Sequence, residues 1–249
     1  MAELGAIVSG AFRTQASRPG ADTVLFCFPH AGGAASFFGP WAEEAPAHVE
    51  VHAAQYPGRE DRFGEPPVAG IGQLADILAD EVGQVRGRRV ILFGHSMGAL
   101  VAYEVARRLE AVDAPASRLV VSAMGAPHRV AGTFPRLDGL PSAMAELRRL
   151  GGTDNAILGA PGFLEFLAPS FKADSDLVAA YRHAHDGRLD STPVDVYLGE
   201  FDPGLRRPEV EYWAELATSV KITIFTGDHF YLTPQRAEVI ASALRPAVV

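Results

Sequence analysis

Short apolar runs alternate with segments of helical periodicity along most of the chain. The apolar runs predict buried strands over residues 23–28, 49–54, 90–93, 119–122, 194–198 and 222–225. The periodic segments predict helices over residues 37–45, 71–85, 97–110 and 234–244, and Ser36 is the predicted cap of the first. Strands that alternate with helices are typical of a mostly parallel sheet with helices on both faces. We therefore predict one α/β domain over residues 1–249.

One long stretch interrupts this alternation. Residues 128–190 contain no convincing strand, and short helices are predicted there at residues 142–150, 162–168 and 175–185. Gly151-Gly152, Gly159-Ala160-Pro161 and Pro169 separate these helices. An insertion of about 60 residues is longer than an ordinary connection between two strands. We expect a helical lid over the carboxyl ends of the strands, and a helical subdomain without a gating role is the alternative.

The composition limits the classes of partner. Hydrophobic residues make up 48% of the chain, which excludes a mainly disordered protein. The net charge of −8 argues against nucleic acid as a partner, because such binding requires cations that neutralise phosphates. No apolar run approaches the roughly 18 residues of a membrane span, so no membrane partner is expected. The single cysteine, Cys27, lies in a predicted strand and indicates a cytoplasmic protein.

The strongest chemical signal is the pentapeptide Gly94-His95-Ser96-Met97-Gly98. It matches G-x-S-x-G and lies between a predicted strand and a predicted helix, which is the context of a nucleophile elbow. Glycine is expected at both ends, because side chains there would collide with neighbouring backbone. We therefore predict that Ser96 is a nucleophile. The alternative is a glycine-rich turn with an idle serine.

A serine nucleophile requires a base, and the base requires an acid that orients it. In this arrangement of strands, the acid and then the histidine follow late strands of the sheet. Asp202 follows the strand at 194–198 and His229 follows the strand at 222–225, so we predict these two as acid and base. Glu200 lies in the same loop as Asp202 and is the alternative acid. Asp228 is expected to stabilise its own loop.

Two backbone N–H groups are needed to stabilise the oxyanion that forms on the substrate. One is expected from Met97, the residue after the nucleophile, and the other from Ala31 in the loop after the first predicted strand. Gly32 and Gly33 would let this loop approach a substrate closely, although a plain turn explains them as well. The histidines and acidic residues lack metal-ligand spacing, so neither a metal nor a cofactor is predicted.

Four segments resemble those of the type II thioesterases, stand-alone editing hydrolases that accompany polyketide synthases and nonribosomal peptide synthetases. The segments are Phe28-Pro29-His30-Ala31-Gly32-Gly33, Tyr56-Pro57-Gly58-Arg59-Glu60, Gly94-His95-Ser96-Met97-Gly98-Ala99 and Gly227-Asp228-His229-Phe230. The resemblance implies an α/β-hydrolase fold with a helical lid insertion, and a triad on Ser96, Asp202 and His229. It also implies hydrolysis of unwanted acyl groups from the phosphopantetheine arm of acyl carrier or peptidyl carrier domains.

Two other functions stay open from the sequence. One is a general serine carboxylesterase or small-metabolite hydrolase, which the Tyr-Pro-Gly-Arg-Glu segment argues against because general esterases lack it. The other is a non-catalytic carrier-binding protein, for which a broken triad would be expected, whereas all three residues are present.

A carrier domain would have to dock on a local basic surface, because carrier domains are typically acidic and this chain is acidic too. The region 128–152 offers such a surface, with four arginines against two acidic residues. These arginines are Arg129, Arg136, Arg148 and Arg149. Arg59 lies among acidic neighbours and is expected to pair within its own loop.

Overall fold

A seven-stranded sheet forms the centre of the protein. The computed structural model describes residues 10–130, 136–151 and 162–245. The strands are β1 (Phe12–Thr14), β2 (Thr23–Phe28), β3 (Val49–Ala54), β4 (Arg89–His95), β5 (Arg118–Ser122), β6 (Val194–Gly199) and β7 (Val220–Phe225). Their order across the sheet is β1-β3-β2-β4-β5-β6-β7. Strand β1 is antiparallel to β3, and the remaining pairs are parallel, so the predicted mostly parallel sheet is confirmed.

All six predicted strands are present, and their bounds differ from the prediction by at most two residues. Strand β1 was not predicted. Its three residues are neither an apolar run nor an alternating pattern, and it forms because Phe12 and Thr14 pair with Ala54 and His52 at the free edge of β3. Because the two segments are distant in the chain, the local pattern of residues 12–14 does not predict that they pair.

The α-helices pack on the sheet, and three short 3₁₀ turns lie in the connections. The α-helices are α1 (Gly39–Glu44), α2 (Ile71–Val82), α3 (Met97–Ala111), α4 (Pro127–Val130), α5 (Gly139–Leu150), α6 (Phe163–Ala180), α7 (Arg207–Glu211) and α8 (Arg236–Leu244). The 3₁₀ turns are Ala35–Phe38, Glu60–Arg62 and Tyr212–Glu215.

The first predicted helix is split into two pieces, and the predicted cap is wrong. Ser36 lies inside the turn Ala35–Phe38, and its hydroxyl donates to a carboxylate oxygen of Glu60 instead of capping a helix. Helix α1 begins only at Gly39, next to Pro40. Proline is favoured in the first turn of a helix, where its missing N–H costs no helical hydrogen bond.

The insertion is helical in the part that the structure describes, with one correction. The helices predicted at 162–168 and 175–185 form a single helix, α6, which continues through Pro169. Its buried side chains, among them Ala168, Phe171 and Val178, hold the helix together, while Pro169 lies exposed on its surface. The predicted break at Gly159-Ala160-Pro161 lies outside the described residues. Within the described part of 128–190, extended pairing is limited to a single bridge from Leu189 to Ala217.

Both faces of the sheet are covered, as the unbroken apolar run of β2 predicts. Val24, Phe26 and Phe28 face one apolar layer, which includes residues of α2 and α3. Leu25 and Cys27 face the opposite layer, which includes residues of α1 and α8. The expected burial of Cys27 is therefore confirmed.

The order of the strands creates a crevice at the carboxyl edge of the sheet. The chain passes from β2 to β3 on one side and then returns to β4 on the other side of β2. The loops after β2 and β4 consequently leave the sheet side by side, which is where ligands bind in open α/β sheets. The loop after β2 begins at Pro29, and the turn after β4 holds Ser96.

A buried ion pair joins β5 and β6 and gives a stability prediction. Arg118 Nη1 lies 2.6 Å from Asp195 Oδ2, with both side chains at most one-tenth exposed. Burial raises the pKa of Asp195, and Arg118 opposes this. We expect Asp195→Ala to lower the free energy of unfolding by about 3–5 kcal/mol, because it leaves Arg118 buried without its partner. Urea unfolding monitored by circular dichroism measures this change.

The double variant Arg118→Met with Asp195→Leu is the control. It removes both charges and restores apolar volume, so most of the lost stability should return. A double variant as unstable as Asp195→Ala would show that the cost does not come from an unpaired charge.

Candidate active site

Ser96 lies in a strained turn between β4 and α3, as the sequence predicts. Its backbone has φ +54° and ψ −123°, a conformation that side-chain-bearing residues rarely adopt. A Cβ added at Gly94 would lie 2.2 Å from the carbonyl oxygen of Gly98. A Cβ added at Gly98 would lie 2.0 Å from the carbonyl oxygen of Phe28. The two positions therefore require glycine. The Ser96 N–H donates to the Ser122 carbonyl at 2.8 Å, which holds the turn on β5.

Asp202 and His229 come together at the ends of β6 and β7. His229 Nδ1 lies 2.8 Å from Asp202 Oδ2, and the carboxylate is fully buried. The Gly204 N–H donates to the other oxygen, Oδ1, at 2.8 Å. With Nδ1 bonded to the carboxylate, Nε2 is the nitrogen that can accept a proton. This Nε2 is buried and has no hydrogen-bond partner among the described residues.

The other acidic residues near the two loops are placed differently. Glu200 is exposed, while Asp202 is the residue that hydrogen-bonds His229. Asp228 Oδ1 accepts the Phe230 N–H at 2.9 Å, so the expectation that Asp228 stabilises its own loop is confirmed.

Two histidines without charge, His95 and His30, lie near His229. The ring of His95 lies 5.1 Å from that of His229, and its Nδ1 is hydrogen-bonded to the Ser122 hydroxyl at 2.9 Å. Burial holds the pKa of His95 well below its usual range and lowers the pKa of His30 to about 3. Both rings are therefore uncharged at neutral pH, and neither would repel a proton taken up by His229. The sequence carried no signal for this arrangement beyond the two histidines themselves.

The loop after β2 is held by hydrogen bonds along its backbone. The Gly33 N–H donates to the His30 carbonyl at 2.9 Å, and the Tyr56 hydroxyl donates to the Pro29 carbonyl at 3.1 Å. The Gly32 N–H donates to a carboxylate oxygen of Asp174, on α6, at 2.8 Å.

Arg59 does not pair within its own loop, so that expectation is wrong. Its Nη2 lies 2.6 Å from Asp174 Oδ2, and both side chains are more than nine-tenths buried. The same nitrogen also donates to the Ser170 carbonyl at 3.2 Å. The sequence carries no signal for Asp174, which follows no motif and lies between the helices predicted at 162–168 and 175–185. A buried ion pair explains why an arginine can occupy this position, since its charge is compensated.

Two cavities meet at Ser96, Ala31 and His229. The inner cavity, of about 190 Å³, also borders Met97 and reaches apolar side chains such as Met124. The outer cleft, of about 870 Å³, is bordered by the loop after β2 and by the Tyr-Pro-Gly-Arg-Glu segment. Helices α5 and α6 contribute side chains to both cavities. Those of Leu150 and Phe171 are shared between the two.

The described residues also bear on metal binding and membrane insertion. The ranges 10–130, 136–151 and 162–245 contain no group of three or more His, Cys, Asp or Glu side chains that could hold a metal ion. None of the helices in the same ranges has both the length and the apolar character needed to cross a bilayer.

Known proteins are similar to this chain in sequence and in fold. The sequence profile of a family described as "Thioesterase domain" matches residues 23–247. The chain is 37% identical over 231 residues to the probable cadicidin biosynthesis thioesterase of Streptomyces griseus, covering 91% of this chain and 64% of that protein. It is 32% identical to the gramicidin S biosynthesis protein GrsT of Aneurinibacillus migulanus, and the match covers 87% of this chain and 85% of that protein. The structure of the type II thioesterase BorB, from the borrelidin biosynthetic cluster, superposes with a TM-score of 0.83 at 35% identity. The superposition covers 94% of this chain and 97% of that one.

The hydrogen bond between Asp202 and His229 predicts unequal effects at two neighbouring acids. Asp202→Asn should lower kcat for a simple activated ester such as p-nitrophenyl acetate by about 10⁴-fold, because an amide favours the wrong tautomer of the histidine. Glu200→Gln is the matched control in the same loop and should stay within twofold of the unsubstituted protein. The reverse ranking would transfer the role of the acid to Glu200.

Proposed function

The chain belongs to the thioesterase family, and on this premise we propose that it is a type II editing thioesterase. Its task would be to hydrolyse aberrant or stalled acyl groups from the phosphopantetheine arm of acyl or peptidyl carrier domains in polyketide or nonribosomal peptide biosynthesis. The α/β-hydrolase fold of the family matches the parallel sheet described above. The observation that carries the proposal is the strained turn at Ser96, which borders both cavities together with His229, the hydrogen-bond partner of Asp202.

The proposed reaction has two steps. In the first, Ser96 Oγ attacks the thioester carbonyl carbon while His229 Nε2 takes the hydroxyl proton. The oxyanion is stabilised by the N–H groups of Ala31 and Met97. The carbon–sulfur bond then breaks, and the thiol leaves with the proton from His229. In the second step water, activated by His229, hydrolyses the acyl–serine ester and regenerates Ser96, while Asp202 keeps the imidazole in one tautomer throughout.

The two cavities suit the two parts of such a substrate. We place the acyl group in the inner cavity, which is enclosed by apolar side chains such as Met124, Leu137 and Val178. The pantetheine arm needs an open route, because the carrier domain stays outside. The outer cleft offers this route, since it runs from Ser96 to the exposed side chains of Phe63 and Phe166.

The insertion at residues 128–190 would then act as a lid within a single domain that covers residues 1–249. Its described helices, α5 and α6, pack on each other through Ala143 and Ala168 and form one wall of each cavity. A wall built from an insertion can vary while the sheet and the nucleophile stay unchanged. We propose that this wall decides which acyl groups are accepted. The single cysteine, buried in β2, suits the reducing cytoplasm, where we propose that the enzyme acts.

Hydrolysis of an acylated carrier protein tests the proposed function. Purified protein should release acyl groups from an acyl-phosphopantetheine carrier much faster than it hydrolyses the matching simple oxygen ester. Ser96→Ala should lower kcat by several orders of magnitude with little change in unfolding temperature, because it removes the nucleophile and little packing. Intact-mass measurement of the carrier follows the loss of the acyl group.

Two outcomes would contradict the proposal. Faster turnover of the simple ester would favour a general carboxylesterase. Carrier binding without turnover would favour a non-catalytic carrier-binding protein.

Docking of an acidic carrier requires exposed cations beside the cleft, since the whole chain carries −8. Two arginines of the basic region are already engaged. Arg149 pairs with Glu146 at 2.6 Å, and the Arg129 guanidinium lies 4.4 Å from the centre of the Tyr212 ring. Arg148 is exposed on α5, so we propose that it contacts the carrier.

Arg148→Glu should raise KM for an acylated carrier several-fold at low ionic strength and leave kcat unchanged, because a charge at the rim mainly affects association. Turnover of an N-acetylcysteamine thioester should not change. Arg86→Glu is the control, since Arg86 is also exposed and precedes β4 at the opposite edge of the sheet. Equal losses on both substrates would mean that Arg148 stabilises the lid instead of meeting the carrier.

A further inference from the structure

The peptide groups on either side of Ala31 are each held by a hydrogen bond. The His30 carbonyl belongs to the same planar peptide as the Ala31 N–H, and it accepts the Gly33 N–H at 2.9 Å. The next peptide carries the Gly32 N–H, which donates to Asp174 at 2.8 Å. The first bond is local to the turn. The second comes from a side chain on helix α6, 142 residues away in the chain.

Asp174 is itself held in place. Its Oδ2 accepts both the Gly32 N–H and Nη2 of Arg59, at 2.8 and 2.6 Å. Burial raises the pKa of Asp174, while the charge of Arg59 and the bond from Gly32 oppose this rise. Arg59 reaches Asp174 from the Tyr-Pro-Gly-Arg-Glu segment, so three separate parts of the chain meet at one carboxylate oxygen.

We infer that Asp174 is a positioning residue, which orients the Ala31 N–H toward the reacting carbonyl by holding the Gly32 N–H. Gly32 has φ +75°, a conformation that a glycine leaves readily unless it is held. Without an acceptor, the peptide between Ala31 and Gly32 could rotate and carry the neighbouring donor with it. Arg59 keeps the Asp174 carboxylate compensated in its buried site. This inference rests on the proposed serine hydrolase function and adds α6 to the parts that build the oxyanion site.

Three variants separate the acceptor for Gly32 from the charge that compensates Arg59. Asp174→Ala removes both. Asp174→Asn keeps an oxygen that can accept the Gly32 N–H but loses the charge. Asp174→Leu with Arg59→Met removes the acceptor together with the unpaired guanidinium.

Across the three variants, kcat should depend on whether an acceptor for the Gly32 N–H is present. Thermal stability should depend on whether Arg59 is left buried without a compensating charge. Loss of one oxyanion donor lowers kcat by roughly 10²–10³-fold, so Asp174→Ala should approach that range while KM changes little. Asp174→Asn should retain at least tenfold more kcat than Asp174→Ala, although both should lose a similar amount of thermal stability. The double variant should recover most of the lost unfolding temperature while its kcat stays low.

Asp176→Ala provides the matched control on the same helix. Asp176 is exposed and pairs with Lys172 at 2.6 Å, away from Gly32 and Arg59. It should change neither kcat nor the unfolding temperature by more than the error of the measurement. A boronic acid that forms a tetrahedral adduct on Ser96 gives a second readout, because its affinity should fall in parallel with kcat while the affinity for the carboxylate product does not.

All variants are assayed with both p-nitrophenyl acetate and an N-acetylcysteamine thioester. If the unsubstituted protein hydrolyses only the oxygen ester, the proposed thioesterase function fails, and the role of Asp174 is still judged on that ester. The inference itself is overturned if kcat follows the unfolding temperature across the three variants. It is also overturned if Asp174→Ala keeps the kcat of the unsubstituted protein.

Discussion

Close backbone contact between the β4–α3 turn and the end of β2 is the constraint on which the site depends. The backbone of Gly98 approaches the Phe28 carbonyl so closely that an added Cβ would lie 2.0 Å from its oxygen. Strands β2 and β4 are parallel neighbours, so this contact brings the turn after one strand against the loop after the other. Ser96 and the proposed donor Ala31 therefore share one steric requirement, and both positions are lost if the turn moves away from the sheet.

The buried charge at the centre of the site is compensated. The Asp202 carboxylate is fully buried and is satisfied by His229 and by the Gly204 N–H. The neighbouring rings of His30 and His95 are neutral, because burial lowers the pKa of each. A proton that reaches His229 thus meets one negative charge and no positive ring. Fixed dipoles and charges act strongly where water is excluded, so the Asp202 carboxylate is well placed to hold the imidazole in one orientation.

The insertion contributes more than a cover for the crevice. Helix α6 supplies Phe171 to the walls of both cavities and Asp174 to the loop after β2. It also contains Pro169, which a reading of local pattern takes as a helix end. The helix continues because its buried face, with Ala168 and Phe171, packs against α5 and the core. The proposed recognition of the acyl group and the proposed orientation of the oxyanion donor therefore both involve helix α6.

The sequence by itself determined the features that rest on local pattern. Apolar runs and helical periodicity predicted the parallel sheet, and strand order predicted the pair of Asp202 and His229 that the structure contains. Each strand and helix is encoded in residues close together in the chain, and the pair follows from the order of the strands, because Asp202 and His229 lie directly after β6 and β7. Only the tertiary structure decided the edge strand β1 and the contact of Asp174 with Gly32 and Arg59, which lie 142 and 115 residues away. The physical reason is that an edge pairing or a buried ion pair is stabilised by a distant partner, and no local pattern of residues specifies that partner.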